Sequence, residues 1–192
     1  MIEVLLVVAL SSVIAAIAVP MMKNSLGGFR LTGDARTLAN AISLAKLRAA
    51  ADFSQARVYV DLTTQQYHVE TWNKTGAAWT AEGGTTTLST NDTFSVGVVG
   101  APPANTQTAI GEASPCVNAA GAAIANTACV LFNSRGIPVL AAGAPPAVGA
   151  PTGEDALYIT DGTAVYGVTL SATGMIRLWR TNPTTTPTWT LQ

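Results

Sequence analysis

The feature that most constrains this chain is an uncharged, mostly apolar run over residues 4–22, with the sequence VLLVVALSSVIAAIAVPMM. As a helix rising about 1.5 Å per residue, it would nearly match the roughly 30 Å hydrocarbon core of a bilayer. An acid, Glu3, precedes the run and a base, Lys23, follows it, whereas a secretory signal peptide begins with a basic region. The run therefore predicts a long helix that lies in lipid or in an equally dry assembly.

Two residues in this segment need a specific explanation. A carboxylate beside a membrane helix needs a partner, or it must reach the headgroup layer, so Glu3 is either a paired charge or a snorkelling one. Pro20 removes one backbone donor and clashes with the preceding turn, which predicts a kink in the helix.

An amphipathic stripe continues the helix beyond Gly27-Gly28. Its apolar residues recur every three or four positions and would lie on one helix face: Leu31, Ala35, Leu38, Ile42, Ala45 and Ala49. We therefore predict three segments. Residues 1–28 form the apolar helix, residues 29–53 form an amphipathic half that packs on a head, and residues 54–192 form the head.

The head is predicted to be β-rich. Residues 57–62 and 66–72 have strand patterning and flank a short polar turn, which indicates a hairpin. Asp161-Gly162 and Ala172-Thr173-Gly174 mark two further turns. Other predicted strands are Thr86–Ser89, Thr93–Val99, Cys129–Phe132, Ile137–Leu140, Ala156–Thr160, Ala164–Ser171 and Met175–Arg180. The fold class is therefore α+β, a long kinked helix packed on an antiparallel β head.

Two stretches rich in Gly, Pro and Ala, residues 100–128 and 141–153, are predicted to be surface loops. The only cysteines are Cys116 and Cys129, with neither a C-x-x-C motif nor a cluster of histidines. In an exported chain this pair predicts a disulfide.

Charge is sparse and unevenly placed. Charged residues make up 11% of the chain, against roughly 25% in ordinary soluble domains. Residues 1–57 have six bases and three acids, a net of +3, and residues 58–192 have four and eight, a net of −4. Attraction between helix and head, or between neighbouring copies, is one interpretation, and two separately solvated faces are the other.

The first twenty residues, MIEVLLVVALSSVIAAIAVP, resemble the N-terminal segment of mature type IV pilins and type II secretion pseudopilins. The resemblance depends on Glu3, the apolar run and Pro20, seventeen residues after the acid. It implies a structural subunit that assembles with copies of itself into a helical filament. Glu3 would then pair with the N-terminal amine of a neighbouring subunit, while Leu6 and Val13 would lie in the packed interior.

The same resemblance implies the subunit's partners and location. A prepilin peptidase and a pilus assembly machinery would act on the chain, and its N-terminus would be methylated. It would lie in the bacterial inner membrane before assembly and in an extracellular filament afterwards, or in the periplasm in the case of a pseudopilin.

A second resemblance places the chain near the GspH/FimT-type pilin-like proteins. It rests on the helix run at residues 35–49, on the strand and Arg-Gly turn of Val130–Gly136, and on the closing hairpin at Tyr166–Arg177. This leaves two alternatives to a major pilus subunit, a minor pseudopilin of a type II secretion system and a DNA-binding minor pilin.

Sequence signatures of catalysis are missing. We find no nucleophile elbow, P-loop, dinucleotide-binding or zinc-protease motif, so we expect no enzyme, cofactor or metal site. His68, the only histidine, lies within a predicted strand, where a structural or solvent-facing role is expected. The adjacent acids Glu154 and Asp155 are predicted to be solvated.

The last predicted strand contains the residues that could contact DNA. Some FimT-like minor pilins use a C-terminal Gly-Arg-x-Arg motif, and Gly174-Met175-Ile176-Arg177 has methionine at the first arginine position. Arg177 and Arg180 could contact phosphate beside Trp179, but solvent-facing arginines are the commoner meaning of such a pattern. We therefore do not expect nucleic acid to be a partner.

Overall fold

The computed structural model describes residues 2–192, except for the side chains of residues 5, 6, 15 and 17–25. Within this part of the chain the helix α1 (Ile2–Ala51) comes first and the strands follow it. The strands are β1 (Ala56–Asp61), β2 (Gln66–Asn73), β3 (Ala78–Thr87), β4 (Thr93–Phe94), β5 (Thr127–Phe132), β6 (Val139–Ala141), β7 (Val148–Pro151), β8 (Ala156–Thr160), β9 (Val165–Leu170), β10 (Ile176–Thr181) and β11 (Thr190–Leu191). This is the predicted α+β class. The kink predicted at Pro20 falls on a side chain outside the description and stays a prediction.

The strands form two larger antiparallel sheets and a small one. The first sheet has the order β3-β2-β1-β5 and the second has the order β11-β10-β9-β8-β4, while β6 pairs with β7. The predicted hairpin is confirmed, since Arg57 pairs with Glu70 and Asp61 with Gln66. The two predicted turns at residues 161–164 and 171–175 join β8 to β9 and β9 to β10.

The main hydrophobic core of the head is built on the helix stripe. Each residue predicted for the stripe is at most 1% exposed, and all of them belong to one buried cluster with both larger sheets. A stripe with a period near 3.6 can face only one side, so the helix lies with that side on the sheets. The predicted packing of the second half of the helix on the head is thus confirmed.

Lys46 connects the helix to two turns of the head. Its ammonium donates a hydrogen bond to the carbonyl of Gly174 at 2.9 Å. A Cβ at Gly174, whose φ is +76°, would lie 3.0 Å from the Gly136 carbonyl and 3.1 Å from Lys46 Nζ. Glycine is therefore required here both by the left-handed conformation and by the close approach of the lysine.

Two strand predictions and one loop prediction were wrong. The strand predicted at Thr86–Ser89 is the end of β3, which begins at Ala78, and the strand predicted at Thr93–Val99 is only the two residues of β4. The segment of β3 has little apolar patterning because it is an exposed edge strand, so its pairing with β2 holds it in place rather than core burial. The stretch at 141–153 contains β7, which pairs with β6.

The stretch at 100–128 also differs from a plain surface loop. Ala113 and Cys116 in it are buried, and Ala113 belongs to the main core. Cys116 is bonded to Cys129, with a Cα–Cα distance of 4.9 Å, so the predicted disulfide is confirmed. The crosslink and the backbone bond from Cys129 N to the Ser114 carbonyl (2.8 Å) hold this stretch against β5.

Candidate assembly surface

The first turns of α1 present their apolar side chains outward. The exposed fraction in this segment ranges from 57% for Leu10 to 81% for Ile2. The members of this group, here called the apolar helix surface, are Ile2, Val4, Val7, Val8, Leu10, Val13 and Ile14. Singly exposed apolar residues are ordinary on soluble proteins, but a continuous set on one element marks an interaction surface.

Of the residues predicted to direct assembly, Glu3 and Val13 lie on this exposed part of the helix. Glu3 is in the first turn, where a carboxylate also interacts favourably with the helix dipole. The side chains of Leu6 and Pro20 lie outside the description. The structure therefore places two of the four residues in solvent contact on the same element.

The second half of α1 is held by polar contacts on both flanks of the buried stripe. Arg48 Nε lies 2.7 Å from Glu82 Oε2 on β3, and Thr32 Oγ1 lies 2.9 Å from the Tyr166 hydroxyl on β9. The Asp34 carboxylate accepts a hydrogen bond from Ser89 N at 2.6 Å. These contacts join the helix to both larger sheets, so the exposed segment projects from a fixed base.

An acidic group lies where the helix meets the head. Asp92 is buried, and desolvation raises its pKa to about 7. A hydrogen bond to Asp34 and the negative charges of Asp34 and Asp161 raise this pKa further, whereas the positive charge of Arg30 lowers it. A cavity of about 430 Å³ adjoins this group and is lined by Leu26, Gly27, Arg30, Thr90, Asn91, Asp92 and Asp161. In the described part of the chain, no set of three or more metal-ligating side chains is arranged to hold a metal ion.

The residues weighed for DNA contact lie on opposite faces of β10. Successive side chains alternate across a strand, so Arg177 and Arg180, three apart, point to opposite sides. Arg180 lines a cavity beside the helix with Phe29 and Tyr166. Trp179 donates its indole hydrogen to Thr169 Oγ1 at 3.0 Å. The two arginines therefore do not form one basic track.

His68 packs in a small polar and aromatic group on the outer face of the first sheet. Its ring stacks on Tyr59 at 5.1 Å, and its Nε2 lies 3.1 Å from Glu70 Oε1. The other Glu70 oxygen accepts a hydrogen bond from Arg57 at 2.6 Å. The histidine has the structural surroundings that were expected.

One prediction about acids was wrong. Glu154 is exposed as predicted, but its neighbour Asp155 is only 5% exposed. A second buried carboxyl that the sequence did not single out is Glu112. Its desolvation raises its pKa to about 8, against a hydrogen bond from Tyr158 N that lowers it. The one available signal was that Glu112 is the only charged residue in the stretch 100–128.

The fold and the surface together define a class of protein. The second half of its helix packs on a β head of two larger sheets, and the first half of the helix has exposed apolar side chains. Among the described residues, no helix has both the length and the hydropathy needed to cross a membrane. No family model and no curated protein matches the chain.

Among solved structures, the chain is similar to the minor pseudopilin EpsH from the Type 2 Secretion System of Vibrio cholerae. The two are 11% identical, the match covers 85% of this chain and 96% of the other, and the TM-score is 0.39.

Proposed function

We propose that the protein is a structural, pilin-like subunit that assembles with copies of itself into a helical filament through the apolar helix surface. One observation carries the proposal, the contrast between the two halves of α1. The stripe from Leu31 to Ala49 is covered by the head, whereas the aliphatic side chains described between Ile2 and Ile14 are exposed, with no other described residue covering them. A helix with this much uncovered apolar area needs a second apolar phase.

Copies of the same helix supply that phase. Each copy presents the same aliphatic surface, so a bundle of these segments can bury it without any other protein. Glu3 lies at the end of the segment and would enter the bundle with it. A carboxylate left unpaired there would destabilise the contact by several kcal/mol, so we propose that it pairs with the N-terminal amine of a neighbouring subunit.

Before assembly, the same segment would be held in the bacterial inner membrane, and an assembly machinery would extract it. Both a major pilus subunit and a scarce minor pseudopilin use such a surface, with the filament outside the cell in the first case and in the periplasm in the second. Abundance separates these alternatives, since a major subunit dominates filaments sheared from the cell surface.

The test compares four variants, two in the helix and two controls, by electron microscopy of sheared or overproduced filaments, with membrane fractions blotted for the subunit. Glu3→Ala is expected to leave the subunit folded and membrane-associated and to reduce filaments strongly. Val13→Asp is expected to abolish filaments, because it places a charge in the packed interior. Val98→Asp is the matched control, since Val98 is exposed to nearly the same degree, 62% against 59%, but belongs to the head.

Wild-type filament yield from both Glu3→Ala and Val13→Asp would contradict the proposal. The helix would then serve only as an anchor for the β head. Asp52→Ala removes an exposed acid just beyond the helix end and controls for the loss of one negative charge.

A further inference from the structure

A second candidate site lies in the head, away from the helix. A pocket of about 520 Å³ opens between the stretch 107–114, the β6–β7 pair and the segment that leads into β8. Its lining residues are Gln107, Glu112, Ala113, Ser114, Leu140, Pro151, Thr152, Gly153, Glu154 and Asp155. Three of them are acids, and none is Lys, Arg or His.

The walls of this pocket are fixed by the backbone. Ala113 N donates a hydrogen bond to the Ala156 carbonyl at 2.7 Å, which joins the 107–114 stretch to β8. The disulfide and the bond from Cys129 N to the Ser114 carbonyl hold the same stretch to β5. The acids therefore come from two segments whose relative position is set by the fold.

Two of the three carboxyls are largely removed from water and have few hydrogen bonds to compensate for it. Asp155 is only 5% exposed, and burial is the sole influence on its pKa, with no hydrogen bond or cation opposing it. Glu112 accepts one hydrogen bond, from Tyr158 N at 3.0 Å to Oε2, while its Oε1 is buried and has no partner in the described part of the chain. Buried polar atoms in native proteins are nearly always hydrogen-bonded, so Glu112 Oε1 points to a missing donor.

Among the described residues, no other polar group of the pocket donates a hydrogen bond to Glu112 Oε1, the Ser114 and Thr152 hydroxyls included. The Gln107 amide donates to the carbonyls of Gly111 and Glu154, at 2.9 Å and 2.8 Å. The Glu154 carboxylate is exposed and accepts a hydrogen bond from Thr108 Oγ1 at 2.7 Å. A donor for this oxygen would therefore come from outside the described residues.

We propose that this acidic pocket binds an organic cation, a primary ammonium or guanidinium group on an alkyl stem, through the carboxylates of Asp155 and Glu112. An ammonium has three donors and a guanidinium has five, all without an acceptor, which suits unpaired carboxylate oxygens. Ala113, Leu140 and Pro151 supply apolar wall for the methylene stem of such a group.

A metal ion fits less well. In the described residues no three metal-ligating side chains are close enough together to hold one, and the pocket volume is many times that of a single ion. An anion is opposed by all three acids. The pocket's size and its mixed apolar and acidic lining both favour a small amphipathic cation.

Binding of a cation should depend on pH in a defined direction. Burial raises the pKa of Asp155 to about 7 and that of Glu112 to about 8. The titratable groups that face them are the exposed Glu154 and the Tyr158 phenol, and burial raises the pKa of this phenol further above its usual range, so it stays neutral. The cation binds the ionised carboxylates, so affinity rises from about pH 6 to about pH 8.5 and binding releases protons.

The experiment is calorimetric titration of the full chain in detergent micelles at constant ionic strength. The probes are Nα-acetyl-lysine N-methylamide, the arginine counterpart and calcium chloride. For the two amide probes we expect a Kd on the order of 1 mM at about pH 8.5. The affinity should be about tenfold weaker at about pH 6, since the ionised fraction of a carboxyl with a pKa of about 7 falls by that factor.

Asp155→Asn should weaken binding about tenfold or more, and the pH dependence that is left should follow the pKa of Glu112 alone, which is about 8. Glu112→Gln provides a second, conservative test in case the first variant does not fold, as judged by near-ultraviolet circular dichroism. Asp52→Asn makes the same change in charge at an exposed acid outside the pocket and should leave binding unchanged.

Three results would overturn the proposal. One is no saturable binding of either amide probe at about pH 8.5. Another is equal binding by wild type and both pocket variants, which would indicate non-specific attraction to an acidic surface. The third is calcium binding that displaces the amides and is lost in Asp155→Asn, which would make this a metal site. None of these results depends on filament assembly.

Discussion

The buried carboxyl of Asp155 makes the stability of the head depend on pH. Its pKa is raised from an ordinary value of 3.8 to about 7 by burial alone. The folded state therefore binds this proton more tightly than the unfolded state does. Below the unfolded-state pKa of 3.8 this group does not reduce the free energy of unfolding. The free energy of unfolding then falls as the pH rises from 3.8 to the folded-state pKa of about 7.

The size of the effect follows from that interval. Each pH unit between the two values costs about 1.4 kcal/mol, so the group removes about 2.5 kcal/mol of stability between about pH 5 and about pH 8. Asp155→Asn keeps the shape of the side chain and cannot ionise. We therefore expect the variant to gain about 2.5 kcal/mol relative to wild type over this range, whatever the other groups contribute.

The assay is urea unfolding of the full chain in detergent micelles with the disulfide intact, followed by tryptophan fluorescence at both pH values. Comparing the change in wild type with the change in the variant cancels Glu112 and Asp92, which also titrate near neutrality. A difference between the two proteins that does not vary with pH would refute the reasoning. The reasoning would also be refuted if the wild type, compared with the variant, were less stable at the acidic pH than at the higher pH.

Three further outcomes are expected. Replacing both Cys116 and Cys129 with alanine should lower the free energy of unfolding by about 3 kcal/mol, since their bond closes a loop of 13 residues, and equal urea midpoints would contradict this. Ile42→Ala should lower the free energy of unfolding by about 2–5 kcal/mol because its side chain is fully buried, whereas Leu47→Ala on the exposed face of the helix should lower it little. Equal losses in the two variants would mean that the head does not pack on the stripe. The full chain should give no salt-sensitive DNA shift at micromolar protein, and a shift abolished by replacing both β10 arginines with alanine would overturn our reading of that strand.

Much of the helix was predictable because its signals are local. The spacing of the stripe residues is a property of consecutive turns, and every member from Leu31 to Ala49 lies in the core as expected. The hairpin turns at residues 161–164 and 171–175 were predictable for the same reason, since glycine at a fixed offset allows a positive φ. The strand β3 was missed because its position depends on pairing with β2 and not on its own residues.

The candidate assembly surface was also visible early, because an uncharged run is a feature of composition. The buried carboxyls were not. Asp155 and Glu112 lie in segments rich in Gly, Pro and Ala, where an acid is ordinarily solvated, and 43 positions separate them in the chain. Their shared pocket forms because Ala113 bonds to the backbone of β8 and the disulfide holds the same stretch to β5.

By itself, the sequence determined the division of the chain into an apolar helix, an amphipathic helix and a β-rich head, because hydrophobic periodicity and turn residues act over a few neighbours. Only the tertiary structure decided which polar groups lose water. By the alternation of side chains along β1, Arg57 should lie on the outer face of the sheet, away from the core. It is nevertheless only 3% exposed, because the ring of Trp79 lies 3.9 Å from its guanidinium and the Val117 carbonyl accepts its hydrogen bond at 2.6 Å. Burial of this kind depends on segments that are distant in sequence, so no local pattern records it.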